Sequence, residues 1–133
     1  MDTSEQYIKM CDCPEIQEGW KPTDGDFLSC HGEIYVRMDS DFITCDAHKN
    51  EGCHWLPRQD QLQEMILRTE FYKDIPLSAP DQIGTFTKLV TSTEYYYYSD
   101  FITQEQLWLA FVMKEKFNKV LSGSEWIGDN ETT

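Results

Sequence analysis

Seven apolar residues in a row, Leu107 to Met113 ("LWLAFVM"), set the hardest condition on how this chain folds. Just before them, Thr103 and Gln106 have the spacing of a capping box, which predicts a helix start. Ile102 and Leu107 are spaced to close a hydrophobic staple across it. The run is apolar around its whole circumference, and such a helix must be covered on every side. The expectation is a central core helix, or one that turns part of its surface to another chain. Beyond it the stripe narrows to Met113, Phe117, Val120 and Leu121, with Glu115 and Lys119 one turn apart outside it. "SGSEWIGDNETT" is expected to end the helix and fray.

The cover must come from the rest of a 133-residue chain that is 40% hydrophobic and 14% aromatic. A chain of that length buries enough surface to fold without metal or disulfide staples. Its opening, "SEQYIKMCDCPEIQEGW", predicts a helix with Ser4 as N-cap and Tyr7, Ile8, Cys11 and Ile16 inward. Pro14 either kinks that helix or opens a second short turn. After a turn at Pro22 and Asp24-Gly25 the period changes to two. "DFLSC", "EIYVRM", "DFITCD" and "CHWL" read as short strands of an antiparallel meander. Pro57 removes a ladder donor and ends it.

From there Leu62, Met65, Ile66, Thr69 and Tyr72 fall on one helix face, so "RQDQ" (58–61) is the first turn of a helix. Ser78 and Asp81, with Pro80 between them, predict another helix start, followed by Ile83, Phe86, Leu89 and Val90. The tract 85–98, which ends in "EYYYY", fits strand and helix equally. The fold class expected is α+β in a single domain, 1–133. A small antiparallel β-meander (about residues 26–57) packs against an N-terminal helix and two or three C-terminal helices.

A formal charge of −13 opposes contact with phosphate backbones and anionic membranes. No run approaches the roughly 18 apolar residues of a membrane span. The first residues carry two acids and no apolar stretch, which is no signal peptide. A cytoplasmic location is therefore expected, with the five cysteines reduced.

All cysteines and histidines lie within the first 54 residues. Were zinc bound, its ligands would come from Cys11, Cys13, Cys30, Cys53 and His54. No cysteine pair has knuckle spacing, however, and adjacent Cys-His residues on a strand point to opposite faces. No metal and no cofactor are therefore expected. Asp39, Asp41 and Asp46 read as turn chemistry, and no phosphate loop or catalytic elbow is present. The chain leans away from enzymes.

Three segments, "EIQEGWKPTDGDF" (15–27), "WLPRQDQLQEM" (55–65) and "EQLWLAFVMKEKFNKV" (105–120), with "EW" at 125–126, resemble a family of small uncharacterised phage and prophage proteins. The resemblance covers about a third of the chain and implies a phage- or prophage-encoded protein of a bacterial or archaeal host. It implies no activity, cofactor or catalytic residue. The function expected is that of a non-enzymatic accessory protein that binds a host or phage protein, or itself, with no direct nucleic acid and no membrane partner. Arg58, Gln59, Asp60 and Gln61 are the candidate contact, Arg58 foremost because its planar fork pairs with carboxylates at two points. The alternatives are an acidic DNA mimic that inhibits a nucleic-acid-binding host protein, and a small zinc-binding module.

Overall fold

The computed structural model describes residues 1–38, 52–67, 87 and 95–128. Ser4, with extended backbone, takes the Tyr7 amide on its hydroxyl at 3.2 Å and starts α1 (Glu5–Cys11). Tyr7, Met10 and Cys11 are its buried positions, and Ile8 is half-buried. Pro14 opens a separate short helix, α2 (Pro14–Gln17), at a position that needs no amide hydrogen.

Three strands come next: β1 (Phe27–Cys30), β2 (Glu33–Val36) and β3 (Cys53–Leu56). The sheet is antiparallel with β1 in the centre, β2 on one side and β3 on the other. His31 and Gly32 both have positive φ, 52° and 86°, the backbone of a two-residue hairpin turn whose twist suits the strands. The expected strand at 41–46 lies outside the described residues. So do the acids Asp39, Asp41 and Asp46 and the helix start at Ser78–Asp81.

Pro57 ends β3 and α3 (Gln59–Leu67) begins, with Leu62 and Ile66 buried. The tyrosine run, ambiguous in sequence, is helical: α4 (Tyr95–Tyr98). Then comes α5 (Gln104–Phe117), in which every residue from Trp108 to Met113 is buried. The all-round apolar run thus has its cover, with α3 and α1 both packed against the helix. Thr103 caps α5 as expected, its hydroxyl accepting from the Gln106 amide at 3.1 Å.

Two expectations about α5 are corrected. No staple forms, because Ile102 is 84% exposed. Gln106 instead turns its amide to Asp2, at 2.9 Å. The helix also stops short of Val120 and Leu121. Asn118 adopts the left-handed conformation (φ 56°, ψ 44°) and its amide closes on Lys114 and Met113. The chain then forms a hairpin, β4 (Lys119–Ser122) and β5 (Glu125–Gly128), turning at Gly123 (φ 65°). Up to Gly128 it does not fray: the Trp126 indole donates to the Met10 carbonyl at 2.8 Å, and Lys119 pairs with Glu15 of α2.

Asp2 accepts from Thr103 Oγ1 (2.6 Å), the Ser4 amide (2.8 Å) and Gln106 Nε2 (2.9 Å), a buried carboxylate at the positive end of α5. Burial pushes its carboxyl up, but the hydrogen bonds from Thr103, Ser4 and Gln106 outweigh this and hold it below the ordinary value. A depressed carboxylate contributes stability that is present above its unfolded pKa, about 4, and lost as pH falls through the folded one. The urea midpoint of the wild type should therefore exceed that of Asp2→Asn at pH 7, and the gap should close towards pH 3. A gap that stays constant with pH means the carboxylate is not what holds this corner.

Candidate interaction site

Arg58 and Gln61 are less exposed than their polarity suggests, and both reach one residue, Asp26. Asp26 is 1% exposed. Its Oδ2 accepts from the Trp20 indole and the Thr23 amide, both at 2.8 Å, and its Oδ1 from Gln61 Nε2 at 2.7 Å. Arg58 Nη1 stands 3.6 Å from Oδ1 and donates to the Gly25 carbonyl at 2.9 Å. The same guanidinium forks onto exposed Asp60, and that hydrogen bond holds its pKa up. Gln61 also accepts the Arg58 amide at 2.8 Å, the reciprocal half of a capping box. Of the four candidate contact residues Arg58, Gln59 and Gln61 are half-buried, and only Asp60 is exposed.

What this network braces is the start of the sheet. Gly25 (φ 90°) and Asp26 both stand opposite Arg37: the Gly25 amide donates to the Arg37 carbonyl and the Arg37 amide to the Asp26 carbonyl, each at 2.8 Å. That is a glycine bulge, which only a residue free to take positive φ makes cheaply. It fixes which backbone groups of β2 point where. Arg37 turns its amide and carbonyl toward β1, so by alternation Tyr35 and Glu33 do the same. Ile34 and Val36 turn theirs outward.

The two edges of the sheet are treated differently. On β3, Trp55 presents its amide and carbonyl outward, and the Gln17 side chain takes both, at 2.8 and 2.9 Å. A single carboxamide stands in for a neighbouring strand. Trp20 stacks on the Trp55 ring from the face, with centroids 6.2 Å apart. On β2, no described residue takes the outward groups of Ile34 and Val36. All four residues of the strand are exposed, and Ile34, Tyr35 and Val36 with nearby Met38 are the main apolar surface of the described residues. Charged edges, bulges and covers are how sheets avoid association. Among the described residues the covered edge is β3 and the open one is β2.

The four described cysteines do not gather in one cluster. Cys11 and Cys13 are buried in and beside α1, and burial pushes both thiols up, Cys13 to about 11. Neither offers the thiolate that nucleophilic or metal chemistry uses. His54 lies 3.1 Å from Asp12, on the opposite face of β3 from Cys53. Among the described residues no three His, Cys, Asp or Glu side chains converge as metal ligands. A cavity of about 260 Å³ is lined, among the described residues, by Gln6, Tyr97, Phe101, Gln106 and Leu121, with Asp100 as their one carboxylate and no thiol or imidazole.

Cys30 and Cys53 do face one another across β1 and β3. The His31 amide bonds to the Gly52 carbonyl, so the neighbouring Cys30–Cys53 pair is a non-hydrogen-bonded one, whose Cα separation is about 4.5 Å. Both are reduced thiols, at a spacing that suits a disulfide. Oxidised glutathione should link them, releasing two reduced glutathiones, and a peptide map should recover the 30–53 bridge with Cys11 and Cys13 unmodified. Recovery of only glutathione adducts at Cys53 would rule that pairing out.

No helix among the described residues is long and apolar enough to cross a membrane. No protein-family model, curated protein or solved structure matches the chain.

Proposed function

We propose that this chain is a phage-encoded accessory protein of the host cytoplasm that works by protein–protein contact rather than catalysis, and that the contact is strand addition at the β2 edge. The observation that carries the reading is the outward backbone of Ile34 and Val36, without a partner among the described residues and flanked by exposed apolar side chains. Strand addition takes its affinity from main-chain hydrogen bonds and its specificity from alternate side chains. The Arg58–Gln61 turn has a supporting part in it, since Arg58 and Gln61 hold Asp26 and the bulge that stands opposite Arg37 at the end of β2. A charge of −13 disfavours duplex DNA as partner.

The test is a photo-reactive residue placed at Val36 and, in a second sample, at exposed Glu5 on α1, in cells that make the protein. Covalent adducts are expected from position 36, and they should vanish when Ile34 is changed to Lys. Equal adduct yield at both positions, or indifference to Ile34→Lys, removes β2 as the contact.

A further inference from the structure

We infer that the strand added to β2 is β2 of a second copy, paired antiparallel about a two-fold axis through Tyr35. This rests on the reading of β2 as the contact edge and names its occupant. The order of residues along the strand makes it complementary to itself. With Tyr35 opposite itself, Ile34 stands opposite Val36 of the second copy, and these are the two residues whose backbones point outward. Each such pair exchanges both of its hydrogen bonds, so the two-fold makes four.

The side chains agree with that register. Glu33 falls opposite Arg37 of the second copy, and Arg37 opposite its Glu33, giving two opposite-charge pairs on one face. On the other face Ile34 meets Val36 twice, covering side chains that are 39% and 44% exposed. A strand carrying an acid two residues before its centre and a base two residues after is complementary to itself when antiparallel. The overall charge of −13 does not oppose this strongly at physiological salt. Charges more than about 8 Å apart are then largely screened. Near the axis, each Arg37 stands between Asp24 of its own chain and the facing Glu33.

Sedimentation of the full chain at 150 mM salt provides the test. The wild type should self-associate to a dimer. Glu33→Arg alone sets arginine against arginine twice, and Arg37→Glu alone sets acid against acid twice. Each should weaken the dimer about tenfold or more. Mixed in equal amounts, the two variants should recover wild-type association as a heterodimer, because both facing pairs are again opposite in charge. Circular dichroism confirms that each is folded. Because Arg37 also pairs with Asp24, a second probe avoids that residue. Tyr35→Cys opposes itself at a non-hydrogen-bonded position and should give a covalent dimer on mild oxidation; Ile34→Cys, which faces Val36, should not. A wild type that stays monomeric at every concentration overturns the inference, as does a mixture that fails to recover or Ile34→Cys cross-linking as well as Tyr35→Cys. If the wild type is monomeric while adducts at Val36 persist with a different protein, self-pairing falls and the edge contact stands.

Discussion

Replacing Asp26 with alanine is expected to cost about 3–5 kcal/mol, the range for removing one partner of a buried charged network. Three donors lose their acceptor at once: the Trp20 indole, the Thr23 amide and the Gln61 carboxamide. A buried donor left without an acceptor costs about 1–3 kcal/mol. Arg58 loses the carboxylate beside it but keeps Asp60 and the Gly25 carbonyl, so its share is the smallest. Asp26→Asn keeps the volume while turning an amide toward other donors, and should fall between wild type and alanine. The measurement is a urea midpoint, with the slope checked for change. A cost under about 1 kcal/mol for Asp26→Ala would mean that the bulge at Gly25 holds β1 to β2 without this network.

The Asp26 network lies beyond what local sequence signals reveal, whereas the helix caps and strands do not. Ser4 and Thr103 cap helices because a hydroxyl ahead of an amphipathic run has one good use, and both take the amide three residues on. β1, β2 and β3 fall within the runs that alternate, and α3 begins just past Pro57. Contacts between residues far apart in the chain leave no such local mark. Gln61 reads as a surface amide until Asp26 is placed against it, and Gln17 gives no sign that it seals Trp55. Spacing alone sends Ile102 to Leu107, yet Asp2, a hundred residues away, draws Gln106 and Thr103 to itself.

The hairpin at the end of α5 is a different kind of miss, because its signal is present in the sequence. Val120 and Leu121 fit a helical stripe, but Lys119–Ser122 and Glu125–Gly128 are also two short runs with apolar centres, separated by a two-residue Gly-Ser turn that marks a hairpin. Asn118 decides between helix and hairpin by taking the left-handed conformation that stops the helix. The same holds for β2. "EIYV" is legible as a strand, but whether it lies at an edge depends on which side of β1 receives β3, and that is set by the whole sheet.

Phe111→Ala should be the most destabilising single change in α5, at about 3–5 kcal/mol. Phe111 is 1% exposed, at the middle of the run that is buried on every side. Its ring meets Trp108 edge-on with centroids 5.8 Å apart and Tyr98 at 6.4 Å, so truncation removes aromatic contacts as well as buried area. The cavity would be walled by groups fixed to the helix backbone and cannot readily collapse, the circumstance in which truncation costs most. Phe117 is the internal control. It sits on the same helix, one residue before the cap and half-buried, so Phe117→Ala should cost clearly less. For a domain whose whole stability is about 5–15 kcal/mol, the Phe111 variant should be visibly destabilised at 37 °C and the Phe117 variant should not. The two urea curves, taken side by side, decide whether the buried seam of α5 is its centre or its end. Equal losses at the two positions would mean that burial of "LWLAFVM" on all sides contributes less than the closing turn at Asn118.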